Sequence, residues 1–268
     1  MTTVTVAPPA GAPGPSPDPV AGDVSVRIDH VSKVFGGRAG SVTALQDISL
    51  TVGKGEFVCL LGASGCGKST LLNLVAGLDE PTRGTVARAG EPSFMFQDAA
   101  LFPWLNVERN VELPLRLRHV PAAERRERVA ELLALVQLTA FARRQPHELS
   151  GGMRQRAALA RALAHDAEIL LMDEPFGALD AMTRDILHDE LERIWQVTGR
   201  SIMFVTHNVR EAARLGDRIV LLTSRPGTVA EEFVVDLPRP RRIEDADVAA
   251  LAGHITTRLR AEVARHGR

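Results

Sequence analysis

Gly62-Ala63-Ser64-Gly65-Cys66-Gly67-Lys68-Ser69-Thr70 follows the apolar run Phe57-Val58-Cys59-Leu60-Leu61 and precedes Leu71-Leu72-Asn73-Leu74-Val75-Ala76. A continuous apolar run of this length reads as a strand covered on both faces. Residues 68–76 have helical spacing. The stretch between them fits G-x-x-x-x-G-K-[ST]. Glycines in that pattern let the backbone wrap closely around a polyphosphate and aim its N–H groups inward. The following helix adds its positive N-terminal end. The chain has only three lysines, Lys33, Lys54 and Lys68, among 32 basic residues. At Lys68 a compact, flexible ammonium suits a point contact between phosphates better than a planar guanidinium does. Strand, glycine loop and helix in this order are the context the pattern requires.

Short strands are expected at 24–31, 43–52, 56–61, 84–88 and 93–96, separated by glycine-bearing turns. Between residue 97 and about 164 the periodicity changes to helical, at 107–118, 122–136 and 151–164, which reads as a helical lobe (about 98–164) inserted into a sheet domain. Strands resume at 168–172, 201–206 and 218–223 and alternate with helices at 183–197 and 208–215, as in a mainly parallel sheet. Residues 228–237 read as an edge strand and 238–242 as a basic linker. Val248, Leu251, Ile255, Leu259 and Val263 share one face of an amphipathic helix within 241–268. Residues 1–22 are Pro, Ala and Gly with almost no bulky apolar side chains, a disordered tail by composition. The folded unit is expected over 23–240.

A formal net charge of -1 argues against a general nucleic-acid binder. Two cysteines, Cys59 in a strand and Cys66 in the glycine loop, make no disulfide framework and read as reduced cytosolic thiols. No run approaches the length needed to cross a bilayer, and the start lacks the pattern of a secretion signal. Any action at a membrane requires another chain to supply the membrane part.

Three further features carry chemistry. Leu170-Leu171-Met172-Asp173-Glu174 ends a strand with two carboxylates. Such a pair suits a division of labour, one offsetting a metal's charge and its neighbour orienting a nucleophile for in-line attack. Ile202-Met203-Phe204-Val205-Thr206 ends in His207, and Phe94-Met95-Phe96 ends in Gln97 at the sheet-to-lobe junction. An amide there senses a metal or water without adding charge. Leu149-Ser150-Gly151-Gly152-Met153-Arg154-Gln155-Arg156 opens a helix with a hydroxyl and two glycines, a second anion-binding terminus.

Taken in order, these motifs resemble the ATP-binding subunit of ABC transporters, over about residues 24–236. The resemblance implies a P-loop NTPase (RecA-like) α/β core with an antiparallel β subdomain and an inserted helical subdomain. It implies ATP and Mg²⁺ as ligands. Gly62, Ala63, Ser64, Gly65, Cys66 and Gly67 would cradle phosphates and Lys68 would reach the β- and γ-phosphates. Ser69 would hold Mg²⁺ and Thr70 would bond the α-phosphate. Asp173 is implied at Mg²⁺ through water, Glu174 at the attacking water, Gln97 at metal or water, and His207 at the γ-phosphate. The other seven histidines have no such placement. Ser150, Gly151 and Gly152 would close over ATP held by a second copy in a head-to-tail homodimer, and Asp180 matches the loop crossing between the two sites. Phe35 lies where the family stacks an aromatic on adenine, and fits the core equally well.

Leu101-Phe102-Pro103-Trp104-Leu105-Asn106-Val107, the run from Asp173 to Asp180, Thr206-His207-Asn208-Val209-Arg210-Glu211-Ala212 and Ser224-Arg225-Pro226-Gly227 look like the nitrate/sulfonate/taurine importer branch. That branch implies a membrane permease as partner, docked beside Gln97, with an extracytoplasmic solute-binding protein indirectly engaged. It places the chain peripherally on the cytoplasmic face of the membrane. The alternatives are an importer of related design for a different small solute, such as bicarbonate or a thiamine precursor, and a soluble ABC ATPase of translation or DNA repair; the soluble kind usually carry two ATP domains in one chain or a long coiled coil, and this sequence has neither. A degenerate regulatory subunit would lack Glu174 or His207.

Overall fold

A computed structural model describes residues 22–37 and 40–266. Nearly all of the tail expected at 1–22 lies outside the described residues. Two sheets carry the fold. A three-stranded antiparallel sheet has the order β2-β1-β4, with β1 Val24–Gly37, β2 Gly40–Gly53 and β4 Arg83–Arg88. A six-stranded sheet has the order β5-β6-β7-β3-β8-β9. Its members are β3 Phe57–Leu61, β5 Ser93–Met95, β6 Ile169–Asp173, β7 Ser201–Val205, β8 Arg218–Leu222 and β9 Val229–Val234. Every pairing in it is parallel except the antiparallel edge pair β8–β9. The α/β core with an antiparallel subdomain is the class expected.

Central β3 is buried along its whole length, which is why its sequence shows no polar alternation. Phe57, Cys59 and Leu61 face one apolar cluster, shared with the helices. Val58 and Leu60 face the other, shared with the antiparallel sheet and with α1 Lys68–Ala76. A two-sided core fixes the register of β3, because a one-residue slip would exchange the two sets.

Between β5 and β6 the chain forms α2 Val107–Leu117, α3 Ala122–Leu135 and α4 Gly151–Ala164, packed through Val111, Leu115, Val129, Leu132 and Leu159. Asn110, wholly buried on α2, accepts from Phe102 N at 2.8 Å and donates to the carbonyls of Phe102, Leu105 and Asn106 at 2.9–3.2 Å. One amide thus shapes the loop that leads into the helices. After β6 come α5 Ala181–Thr198, α6 Val209–Leu215 and α7 Ala246–His266.

The structure corrects several sequence expectations. Strand β1 continues past Val31 to Gly37, because bulges between Ile28 and Val34 absorb the polar residues that interrupt its alternation. Its partner β2 correspondingly starts at Gly40 rather than residue 43. Val263 is 44% exposed, so the packed face of α7 ends at Leu259. Within the basic linker 238–242, two arginines are tied into the body of the protein. Arg239 lies 4.4 Å over the Trp195 ring and pairs with Glu192 and Asp217, each at 2.8 Å. Buried Arg241 donates to the carbonyls of Gly216, Val235 and Leu237 at 2.6–3.1 Å and to that of Arg214 at 3.4 Å.

Replacing Arg241 with Met keeps the apolar stem and leaves those carbonyls without a donor. The expected loss is about 2–4 kcal/mol of unfolding free energy, read as a lower urea midpoint. A midpoint equal to that of the parent chain would show that the arginine does not fasten the C-terminal segment.

Candidate functional site

The parallel strands present their C-terminal ends at one edge of the sheet, and the loop after β3 folds there. Gly67 has φ 101°, and a Cβ on it would meet Leu45 Cδ2 at 2.6 Å and the Ala44 carbonyl at 2.9 Å. Only glycine lets the loop lie this close to β2. The Lys68 side chain is 5% exposed and turns back into the loop. Its ammonium donates to the Gly62 carbonyl at 2.9 Å and to that of Ala63 at 3.1 Å, with Cys66 Sγ at 3.8 Å. Burial pushes the Cys66 thiol above its ordinary range, so it stays protonated. The first turn of α1 carries no acidic residue, leaving its N–H end electropositive.

Strand β6 delivers Asp173 beside this loop, near enough to Ser69 for the hydroxyl to favour its ionised form. Desolvation raises the Asp173 pKa, Ser69 pulls it back, and Glu174 adds a raising repulsion. Glu174 holds a left-handed backbone at φ 44°, with its N–H on the Val205 carbonyl at 3.0 Å. Its Oε2 lies 2.8 Å from His207 Nδ1. The Gln97 amide closes the third side. A Cβ on Gly177 would sit 3.8 Å from Glu174 Oε2 and 3.9 Å from Gln97 Nε2. Asp173, Glu174, Gln97 and His207, far apart in sequence, therefore meet around one edge.

Sequence reasoning missed what lies behind His207. The Thr206 hydroxyl donates to Glu211 and accepts from Asn208 N at 2.9 Å, bracketing His207. Glu211 Oε1 lies 2.5 Å from Nε2 of His188, which is fully buried on α5. His188 is one of the seven histidines that the sequence motifs leave without a placement. The available signal was its position beside Leu187 and Leu191 on the apolar face of α5.

The second helix start lies elsewhere. Ser150 caps α4 by accepting from Met153 N at 3.3 Å. Gly151 and Gly152 abut Leu179 and Thr183, with Cβ positions 3.2 Å and 2.5 Å from those side chains. Asp180 caps α5 by accepting from Thr183 N at 3.0 Å, which holds its carboxyl below the usual range. Among the described residues, no hydrogen bond or ion pair joins Ser150, Gly151 or Gly152 to residues 62–70. Gln155 of α4 does touch the junction, donating to the Gln97 carbonyl at 3.0 Å. Phe35 stands on β1 with its ring 47% exposed and the Lys33 ammonium 5.0 Å from its centroid. The exposed ring sits outside the apolar core.

Residues 45–177 match the model of the ABC transporter family. The chain is 46% identical over 221 residues to the nitrate import ATP-binding protein NrtD of Synechocystis, covering 80% of this chain and 83% of that one. The chain belongs to the ABC transporter family. It is likewise 46% identical over 218 residues to the taurine import ATP-binding protein TauB of Burkholderia pseudomallei, covering 78% and 84% of the two chains. Among solved structures it resembles the dimeric post-hydrolysis state of the ATP-binding cassette MJ0796 bound to ADP and Pi. That match has a TM-score of 0.69 at 34% identity and covers 80% of this chain and all of that one. This chain is an ABC-type ATPase.

The residues present suit Mg²⁺. Ser69 and Asp173 offer hard oxygen donors near each other, and the Asp173 carboxyl is partly desolvated beside Glu174, a setting in which a cation would offset the buried negative charge. Among the described residues, no group of three or more His, Cys, Asp and Glu side chains forms a metal cage. Mg²⁺ needs none, since it keeps water and phosphate ligands.

A raised Asp173 pKa means the folded state binds the proton more tightly than the unfolded chain, so the group's opposition to folding grows as pH rises from the ordinary carboxylate value and is complete above the folded value. Asp173→Asn removes that penalty. Without nucleotide or metal, the variant should melt higher than the parent at pH 7. The gap should close as pH falls through the folded value toward the ordinary carboxylate value. Equal melting temperatures across that range would show that Asp173 is not strained by burial.

Proposed function

We propose that this chain is the ATP-hydrolysing subunit of an importer for a small anionic solute of the nitrate, sulfonate or taurine type. The observation that carries this reading is that one chain holds two anion-competent helix starts with no hydrogen bond or ion pair between them. The phosphate loop holds Lys68, while the α4 start holds Ser150, Gly151 and Gly152 with no link to the loop. A head-to-tail homodimer completes each site, the α4 start of one copy closing on ATP seated in the loop of the other. Asp180, beside Gly151 and Gly152, then lies at the crossing between sites.

In each composite site the N–H groups of residues 62–67 wrap the polyphosphate. Lys68 leaves its two carbonyls for the β- and γ-phosphates, and Thr70 bonds the α-phosphate. Ser69, Gln97 and Asp173 would hold Mg²⁺, which supplies charge neutralisation to the phosphate oxygens when bound. Glu174 orients the attacking water and stabilises its developing positive charge. His207, paired with Glu174 before nucleotide arrives, turns to the γ-phosphate. Phe35 offers its exposed ring to adenine, where stacking requires only a π-face.

A membrane permease is the second partner. Among the described residues, no helix is long and apolar enough to cross a membrane. A cavity of about 670 Å³ opens between the sheet and the helical lobe, lined by Phe94, Phe96, Phe102, Leu113, Leu117 and Arg161 among others. Trp104, whose ring centroid lies 5.4 Å from that of Phe102, is 71% exposed. Such an apolar groove bordered by charged side chains of both signs suits an amphipathic helix. Arg161 also donates to the carbonyls of Ala99 and Ala100 at 2.9 Å and 2.7 Å, tying the groove to the segment that follows Gln97. The chain thus sits on the cytoplasmic face of the membrane, and a solute-binding protein delivers the anion from the other side.

Glu174→Gln tests the reading. The amide is nearly isosteric but stabilises the attacking water poorly, so turnover should fall about a hundredfold or more while Mg-ATP still binds. The variant should migrate as a dimer in saturating Mg-ATP and as a monomer without nucleotide. Normal turnover, together with a monomer in Mg-ATP, would refute both the role and the dimer.

A further inference from the structure

The segment Ser224-Arg225-Pro226-Gly227 joins β8 to β9 and has no part in the mechanism above. It is nevertheless built into the phosphate loop. Gly227 N donates to the Ala44 carbonyl and its own carbonyl accepts from Gln46 N, each at 2.9 Å, so the turn is laced to β2. A Cβ on Gly227 would fall 2.1 Å from the Cys66 carbonyl, so the turn lies directly on the loop backbone. At its base, the Thr223 hydroxyl donates to the Pro226 carbonyl at 2.9 Å and accepts from Thr228 N at 2.9 Å. The Leu222 carbonyl lies 3.0 Å from where a Cβ on Gly62 would be. The turn is therefore held from both sides against residues 62–66.

At its tip stands Arg225. The side chain is exposed, and among the described residues it makes no hydrogen bond or ion pair. Yet its Nη2 lies 3.3 Å from the Cβ position of Gly65, at the crest of the phosphate loop. An arginine with nothing to pair with, carried on a pinned turn to the rim of a polyphosphate cradle, is a cation short of its anion. The guanidinium fork is suited to phosphate oxygens.

We infer that Arg225 is a second cationic contact to the bound nucleotide, reaching a phosphate oxygen from outside the loop while Lys68 reaches from within. The contact is made in the same chain that holds the nucleotide, and it engages ADP as well as ATP. This inference rests on the reading of residues 62–70 as the nucleotide cradle.

The test is ADP affinity of the full chain, titrated as monomer with Mg²⁺, for Arg225→Gln, Arg225→Lys and Arg225→Glu beside Lys68→Ala. Arg225→Gln should weaken ADP binding about tenfold, as expected for loss of one charge-assisted phosphate contact. Arg225→Lys should recover most of that loss, and Arg225→Glu should bind more weakly than Arg225→Gln. Thermal unfolding without nucleotide should be the same for all three, because the side chain is exposed. A role confined to shaping the turn would make Lys, Gln and Glu equivalent, and that result overturns the inference. So does unchanged ADP affinity in Arg225→Gln, including the case in which only the ATP-bound dimer is weakened. Unchanged affinity in Lys68→Ala would instead remove the cradle reading itself.

Discussion

Lys68 is a buried ammonium with no carboxylate bonded to it. Two backbone carbonyls, of Gly62 and Ala63, hold it, with Asp173 near enough to feel its charge. Burying a charge without a paired counter-charge is costly, and carbonyl dipoles offset only part of that cost. The loop is thus a cation waiting for an anion, and the surroundings are arranged to keep it so. Gly67 brings the loop against β2, Gly227 brings the turn after β8 against Cys66, and the α1 start carries no acidic side chain. A polyphosphate completes the electrostatics that the protein alone leaves unfinished.

The parallel sheet extends the same principle. Asp173 ends β6, Glu174 follows it, His207 follows the adjacent β7 and Gln97 follows nearby β5, so strand pairing alone delivers them to the loop after β3. Glu174 N bonds the Val205 carbonyl, and Thr206 N bonds that of Leu60. Each functional side chain is therefore positioned by a ladder that runs straight into the core. Behind His207, buried Glu211 and His188 tie the loop Thr206–Asn208 to α5, whose cap is Asp180.

What could be read from the sequence follows from what kind of interaction makes it. The buried strand β3 and the loop behind it were legible because continuous apolar character and glycine spacing are local. The α4 start was legible because Ser150 is a capping residue type in a capping position, whereas α5 begins at Ala181, two residues before the expected 183, with Asp180 as its cap. The bulges of β1 were not, since backbone irregularity at His30 depends on pairing with β2 and β4. Arg239 and Arg241 read as part of a basic linker because their partners, Trp195, Glu192 and the carbonyls near Gly216, are remote in sequence. His188 was passed over for the same reason, its acceptor Glu211 lying on another helix. Arg225 was visible only as part of a family-like run, and its nearness to Gly65 required the fold.

The central claim is that each ATP site is shared between two copies, and mixing defective subunits tests it most directly. Lys68→Ala spoils the loop but keeps the α4 start, while Gly151→Asp spoils the α4 start but keeps the loop. Neither variant alone should form an ATP-bound dimer or hydrolyse ATP at an appreciable rate. In an equimolar mixture, the mixed dimer contains one composite site with both halves intact. Recovery of an ATP-dependent dimer and of hydrolysis is the expected result. A mixture no more active than the sum of its two components, and still monomeric in Mg-ATP, would contradict a shared site.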